Sequence, residues 1–543
     1  MSEPSTPTVQ RSTFNVQRSS WAWIILAGLL LLSLGLRLID LTDQPIDFHP
    51  TRQLRSAIIA RGMYYRMLPD VDPDLRQQAI AAWNSTGQYE PSILEYLVAQ
   101  VYRVVGGEYP WIARIINSLF WLVGGLALYD LARRGASLSA ALVSLGYYLI
   151  LPFAVQASRS FQPDPGMVMW LILSVNFFYR WSENVKRSTL IVERLSWRWA
   201  ILAGLCGGIA VFTKFVAAYI LAPVAVTMVL YTLWDNGGVN SPEPNTFRSK
   251  LQRFWRQPQA WGQVLVMAAL MTVPTLIFYL GRQGRASEYF QDWTISLSHL
   301  LIEPSFYVRW LSLVQNLMGL TALLLGLVGV LVAAPRYRVL LLSLWGGYFL
   351  YGLFLPYQMY THSYYHLQLV PIVALSLAPL AQLILDRLGQ EKPIWKFLFA
   401  GIVVVGMLFP AWISIATFRS VDYRSEPEHW QQIASFLPKD GNIVALTQDY
   451  GYPLIYYGQR KVALWPNRGE RTLSSLRGSI KEFEEFFAKR TQGKSYFLIT
   501  AFNQFDDQPD LQNYLAEHFP VVAEGNGYLI YDLETPLPVQ GSP

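Results

Sequence analysis

The chain has 543 residues, 52% hydrophobic and only 15% charged, where a soluble globular chain carries about 25% charged residues. That deficit points to a membrane protein, and the 14% aromatic share, with 19 Trp and 31 Tyr, suits belts at a membrane surface. The net charge of +6 comes without a long basic run, which leaves nucleic-acid binding unsupported, and the single cysteine, Cys206, excludes an internal disulfide and a cysteine-based metal site.

Residues 1–20 are polar and read as a cytoplasmic tail. The apolar run 21–39 follows with no obvious small-residue cleavage site and is taken as a retained anchor, a cleaved signal peptide being the other reading. Further runs near the ~20 residues that cross a bilayer lie at 111–131, 137–154, 163–181, 197–212, 215–234, 263–281, 311–333, 338–355, 364–386 and 394–417, eleven in all. The stretch 197–234 fits two short helices or one broken one. The expected fold is an all-α polytopic membrane domain over 21–418 with about 11 transmembrane helices, followed by a small extracytoplasmic α/β domain over 419–543.

Lys and Arg set the orientation. With the N-terminus inside, the inner loops hold Arg133, Arg134, Lys186, Arg187, Arg194, Arg248, Lys250, Arg253, Arg256, Arg336, Arg387 and Lys392. The short outer loops 155–162 and 356–363 hold one Arg between them. This puts the long first loop 40–110, the loop 282–310 and the C-terminal domain outside, and the expected setting is a bacterial plasma membrane. In the first loop, Leu54–Leu68 and Ile93–Val105 read as amphipathic helices lying along the interface, the second opened by Tyr89-Glu90-Pro91. In the C-terminal region, Asn442–Thr447 and Ser495–Thr500 read as buried strands. Val521–Glu524 and Tyr528–Asp532 pair around the turn Gly525-Asn526-Gly527. Glu428–Phe436, Ile480–Lys489 and Pro509–His518 read as helices.

Polar groups fall on the outer side where apolar ones would be cheaper, and charge at membrane depth is costly and usually functional. The loop Asp47-Phe48-His49-Pro50-Thr51-Arg52-Gln53 packs an acid, an imidazole and a guanidinium just past the first span. Asp47 fits a general base with His49 as its partner or a substrate contact; Asp and Thr here also fit a helix cap. Arg52 and Arg55, three apart on one helix face, fit a phosphate grip or headgroup contact. Glu90 offers a second outer carboxylate for sugar hydroxyls or a cation, or a favourable charge at a helix start. Arg159 and Asp164 fill a short turn and either pair with each other or line a polar pocket. Lys214 breaks an apolar stretch and needs an anion, for which a lipid phosphate serves. His362, with Tyr364 and Tyr365, fits a phosphate or leaving-group site, or an aromatic girdle whose histidines, His366 included, bond to carbonyls. His299 and Glu303 have i, i+4 spacing, a weak metal signal without a third ligand.

These residues, in this order and on this side, resemble the GT-C superfold of multi-span glycosyltransferases. The nearest branch is that of the protein O-mannosyltransferases and the lipid A aminoarabinose transferases, over roughly residues 20–390. The acidic loop after the first span is that family's hallmark. Here its frequent Asp-Glu is replaced by Asp47-Phe48-His49, and a Glu-Lys-Pro-like start appears as Tyr89-Glu90-Pro91 without the Lys. Ala113-Arg114, Arg159 with Pro163-Asp164, Thr213-Lys214 and Tyr364-Tyr365 before Pro371 are also similar. The resemblance implies a sugar donor on a polyprenyl or dolichyl phosphate and a lipid, glycan or protein acceptor. By analogy Asp47 deprotonates the acceptor hydroxyl, which attacks with inversion, and the lipid phosphate leaves into a pocket of Arg52, Lys214, Arg159 and His362. No cofactor is firmly implied; a divalent cation is an open option. The competing readings are a polyprenyl-lipid transporter, which predicts repeats and mid-membrane charge, and a non-catalytic glycan-assembly protein of the same fold.

Overall fold

The computed structural model describes residues 20–87, 90–185, 190–235, 246–281, 288, 290–439, 442–476 and 482–538. The tail 1–19, Tyr89, Lys186, Arg187, parts of loops 235–262 and 282–310, and the start of the expected helix Ile480–Lys489 lie outside the described residues.

Helix α1 (Ser20–Leu38) is the first apolar span. Three shorter helices follow: α2 (Pro50–Met67), α3 (Pro73–Ser85) and α4 (Ile93–Val105). Pro50 opens α2 in its first turn, where a missing N–H costs nothing. Asp72 caps α3 by accepting from the Asp74 amide at 2.9 Å, and Gly106 ends α4 with φ 80°. The placement of α2 departs from the expectation of a helix lying on the membrane surface. Its residues Gln53 through Ala60 are all buried, because α3, α4 and the C-terminal part of the chain enclose it. Helix α4 does keep two faces: Leu94, Val98 and Tyr102 are buried, while Ile93, Tyr96 and Val104 are exposed.

The long helices come next: α5 (Trp111–Gly135), α6 (Leu138–Ile150), α7 (Pro152–Arg159) and α8 (Asp164–Asn184). After them come Leu190–Thr213, Ala217–Asp235, Pro258–Leu280, Pro304–Met318, Leu320–Val332, Pro335–Phe354, Leu369–Gly389 and Pro393–Arg419. The runs 137–154 and 311–333 are each broken across two helices, the other apolar runs read from the sequence each fall on one helix, and 197–234 resolves into two. Among the described residues, seven helices are long and apolar enough to cross a bilayer alone, or nine if two bent pairs each count as one. Helices α8 and Pro335–Phe354 are of similar length and fall short on apolarity. The chain is a multi-pass integral membrane protein.

Both bends have local causes. Pro152 lacks a helix donor and forces Leu151 into an extended conformation, so α7 leaves α6 at 60°. Gly319, at φ 83°, turns Leu320–Val332 by 95° from the preceding helix. Gly329 lets its helix touch Leu369–Gly389 so closely that a Cβ there would overlap the Ser376 carbonyl oxygen.

The C-terminal part forms a five-stranded sheet: β1 (Ile443–Leu446), β2 (Ala463–Leu464), β3 (Tyr496–Ile499), β4 (Val521–Gly525) and β5 (Tyr528–Asp532), in the order β2-β1-β3-β5-β4. β1 pairs in parallel with β2 and β3; β5 runs antiparallel to β3 and β4. β1 is buried on both faces, and its alternation divides it between two cores. Val444 and Leu446 pack with Trp465, Phe487 and Phe497. Ile443 and Ala445 join Trp430, Ile433 and Leu454, and that core continues into Leu54 and Ile58 of α2 and Val98 of α4. The sheet domain is thus docked on the first loop through shared apolar surface, with the Tyr456 hydroxyl donating to Glu108 and the Tyr423 amide bonded to Asp43 (3.1 Å) at its edge.

Candidate active site

The loop between α1 and α2 is held from behind by two buried guanidiniums. Arg114, in the first turn of α5, donates to the carbonyls of Leu41 (2.8 Å), Asp43 (2.9 Å) and Gln44 (2.9 Å), and to Asp47 Oδ1 at 3.0 Å. Arg159, ending α7, donates to Asp47 Oδ2 at 2.8 Å. Gln53 Nε2 adds a bond to Asp47 Oδ1 (3.0 Å), while its Oε1 accepts from the Phe161 amide (3.0 Å). Burial opposes the charge on Asp47, but Arg114 and Arg159 outweigh it and hold the carboxyl below its ordinary range. Asp47 is therefore ionised and firmly engaged.

A second group assembles around the ring of Tyr364. His49 meets it edge-on at 4.8 Å and bonds Ser363 Oγ through Nε2 at 2.8 Å. The Arg52 guanidinium stands 5.5 Å from the ring centre, Lys214 Nζ 5.0 Å, and the His362 ring 5.7 Å. Lys214 also lies 4.8 Å from the Tyr365 ring. Both lysine and arginine are within reach of a cation–π attraction worth about 0.5–2 kcal/mol. Each carries one carboxylate: Glu90 bonds Arg52 at 3.1 Å and Asp164 bonds Lys214 at 2.8 Å. Asp164 Oδ2 is buried and has no hydrogen-bond partner among the described residues. Burial, then the nearby positive groups, push His49 and His362 down to about 4, so both are neutral at pH 7. Burial disfavours the charge of Glu90, which Arg52 and Lys214 restore and hold below its ordinary range.

The opposite end of the bundle holds a different ionic group. Asp130 near the end of α5 pairs with Arg180 of α8 at 2.7 Å and with Arg134 at 3.1 Å, and Arg134 reaches Glu183 at 2.9 Å. The two ends of α5 thus carry Arg114 at the site and Arg133-Arg134 far from it.

The sequence model of the dolichyl-phosphate-mannose-protein mannosyltransferases matches residues 90–245. No curated protein matches the chain. Among solved structures, ArnT from Cupriavidus metallidurans bound to undecaprenyl phosphate aligns over 94% of this chain and 98% of its own, at 16% identity and TM-score 0.52. The oligosaccharyltransferase AglB from Archaeoglobus fulgidus, in complex with an inhibitory peptide and a dolichol-phosphate, aligns over 95% of this chain and 74% of its own, at 14% identity and TM-score 0.55. The chain has the GT-C fold. The family match covers α4 through the helix Ala217–Asp235, so it includes Glu90, Arg114, Arg159, Asp164 and Lys214.

Within this GT-C fold, most residues singled out from the sequence come together: His49, Arg52, Glu90, Asp164, Lys214, His362, Tyr364 and Tyr365 form one connected cluster. Three expectations change. Arg55 stays near enough to Glu90 to favour its charge, but its guanidinium donates to the carbonyls of Gly87 (2.9 Å) and Thr86 (3.4 Å) and fastens the end of α3 to α2. Arg159 pairs with Asp47 rather than with Asp164, and at 1% exposure it is committed to that acid and to the end of α1. Both fit anchoring better than phosphate binding. His299 and Glu303 do not share a helix face, because His299 sits in a 3-10 turn (Ser298–Ile302) and Glu303 is extended at the start of the next helix. No three His, Cys, Asp or Glu side chains cluster in a metal-ready way among the described residues. His366, by contrast, is fully buried between the Tyr348 hydroxyl (2.6 Å) and the Met359 carbonyl (3.0 Å), the satisfied-core arrangement.

Two site residues escaped the sequence reading. Gln53, the last residue of the acidic loop, bridges Asp47 to Phe161. Arg114 stood out only through its resemblance, although a buried Arg opening a span beside an acidic loop is itself a signal of an ion pair.

Proposed function

We propose that this protein transfers a sugar from a polyprenyl-phosphate carrier to an acceptor hydroxyl at the extracytoplasmic face of a bacterial plasma membrane. The observation that carries this reading is the convergence of Arg52, Lys214, His49 and His362 on Tyr364, at one end of a GT-C bundle. A lipid phosphate arriving there meets two cations and two neutral imidazoles, with His49 bonded to Ser363 and His362 to Thr361. Charge that develops on the leaving phosphate oxygen is stabilised by groups already in place, in a site of low dielectric. The names of the structural relatives point the same way: ArnT was captured with undecaprenyl phosphate and AglB with a dolichol-phosphate.

Asp164 Oδ2 lacks a donor among the described residues, and a sugar hydroxyl supplies one. Glu90, across Arg52, is the second carboxylate available to the sugar. Asp47 is assigned as the base that takes the acceptor proton, with inversion at the anomeric carbon. Its two arginines make it a weak base, so the proton moves late, after the new bond to carbon has begun to form and has made the hydroxyl acidic. His49, two residues on, positions the acceptor or the phosphate.

The test is to incubate purified protein with a panel of polyprenyl-phosphate sugars and follow hydrolysis and transfer. Asp47→Asn, which keeps the shape of the acid, is expected to lower kcat by about 10²–10⁴-fold, the share of a positioned base. Normal transfer by that variant would remove Asp47 from the chemistry. Tight binding of carrier lipid without turnover of any donor would favour the transporter reading.

A further inference from the structure

The N-terminus of α2 has no cap of its own. His49 occupies the N-cap position in the left-handed region (φ 46°), and its side chain makes no cap bond; its ring is bonded to Ser363 instead. The first N–H groups of a helix need acceptors, and here the acceptor comes from the far end of the chain. Asp449 of the sheet domain accepts from Thr51 Oγ1 at 2.8 Å, and the Thr51 backbone N–H faces the same carboxylate.

The segment that delivers Asp449 is strained. Asp449 (φ 51°, ψ 38°) and Tyr450 (φ 56°, ψ 28°) are both left-handed, followed by Gly451 at φ 70°. A side-chain-bearing residue in that region crowds its Cβ against the following carbonyl oxygen, and such strain persists only where the surroundings enforce it. Gln448, just before the strained pair, lines one cavity with Tyr357, whose ring stands 6.4 Å from that of His362, so the loop reaches the rim of the Tyr364 cluster. Two strained turns therefore meet here, one on each side of the junction between the sheet domain and the first loop. What they hold between them is the first turn of α2, which bears His49, Arg52 and Gln53.

We propose that Asp449 is a positioning residue: by capping α2 across the junction it sets the place of His49 and Arg52, so that seating of the sheet domain and assembly of the phosphate-binding cluster are one event. What the cluster binds rests on the function proposed above; the coupling itself does not. The Asp449 carboxylate supplies the one anion at a helix start whose own loop acid, Asp47, is turned away toward Arg114 and Arg159. Asp449 touches neither lipid nor sugar and acts only through α2.

The experiment measures binding of undecaprenyl phosphate to the full-length protein in detergent micelles, with thermal unfolding recorded alongside. Asp449→Ala is expected to raise Kd about five- to tenfold, the share of a lost cap. Asp449→Asn, which caps nearly as well, restores binding to within about twofold. Thr51→Val, which removes the hydroxyl bond and leaves the backbone N–H facing Asp449, is expected to lose part of what Asp449→Ala loses, and the double variant no more than Asp449→Ala alone. Wild-type affinity in Asp449→Ala, or losses in the two single variants that add up, would overturn the proposal. Should Asp449→Ala fail to fold, Thr51→Val carries the test with the same two outcomes. Failure of the wild-type protein to bind would count against the phosphate reading instead. Hydrogen exchange at the Arg52 and Gln53 amides then decides the coupling: faster in Asp449→Ala supports it, unchanged refutes it.

Discussion

Around Tyr364 the balance of charge is even before any substrate arrives: Arg52 is matched by Glu90 and Lys214 by Asp164. A phosphate therefore needs one of those pairs to loosen, and the exposed one is the cheaper, since side chains of Arg52 and Glu90 keep 18% and 17% of their surface in contact with solvent against 4% and 2% for Lys214 and Asp164. Arg52→Gln is expected to weaken undecaprenyl-phosphate binding about tenfold with little change in thermal stability, as read by titration and melting. The histidines give a second prediction. Their values in the folded protein lie near 4, below the 6.5 of an unfolded chain. Between those values the unfolded chain binds more protons, so stability is full above pH 6.5 and falls as pH drops toward 4. His49→Gln should flatten that slope in melting curves taken from pH 7 to 4; an unchanged slope would mean His49 titrates normally. Sequence reading reached these residues because each is an expensive polar group in apolar surroundings. It could not separate Arg52 from Arg55, since the difference between facing a cluster and facing the Gly87 carbonyl is set by how α3 folds back. Nor could it see that Asp47, Arg114 and Arg159 share one clasp, because they are brought together from three distant elements.

Among the elements, the long helices were legible because an apolar run of membrane length has few other uses. The strands β1 and β3 were legible as short continuous apolar runs, and β4 and β5 from the glycine-containing turn between them. Helix α3 was missed although Asp72-Pro73 marks its start, and β2 is too short to carry a pattern. The burial of α2 was unreadable because its second apolar partner, the core around Trp430 and Leu454, lies almost 400 residues downstream, beyond the reach of any local periodicity. Close helix contacts offer a test at this scale. Gly329→Ala places a methyl on the Ser376 carbonyl and should cost about 1–3 kcal/mol. Gly346→Ala, in the helix Pro335–Phe354 with nothing near its Cβ, should be neutral or stabilising by up to about 1 kcal/mol. Equal melting temperatures for the two variants would contradict the packing described here.

For the whole molecule, a GT-C bundle, a buried first loop and a docked sheet domain meet at two neighbouring ionic groups, the Asp47 clasp and the Tyr364 cluster. This arrangement requires Gln44 and Tyr450 to face the same side of the membrane. In a Cys206→Ser background, Gln44→Cys and Tyr450→Cys should both react with an impermeant thiol reagent added outside intact cells, and cytoplasmic labelling of either would break the topology. The central claim is that the Tyr364 cluster receives the phosphate of a carrier lipid while a sugar leaves it. The most direct measurement is release of free polyprenyl phosphate from a polyprenyl-phosphate-linked sugar by purified protein, wild type beside Lys214→Gln. The account predicts steady release by the wild type and a drop of about 10²-fold or more in the variant, as expected when a preorganised charge at the leaving group is removed; equal release by both proteins, or none by the wild type with any donor, would contradict it.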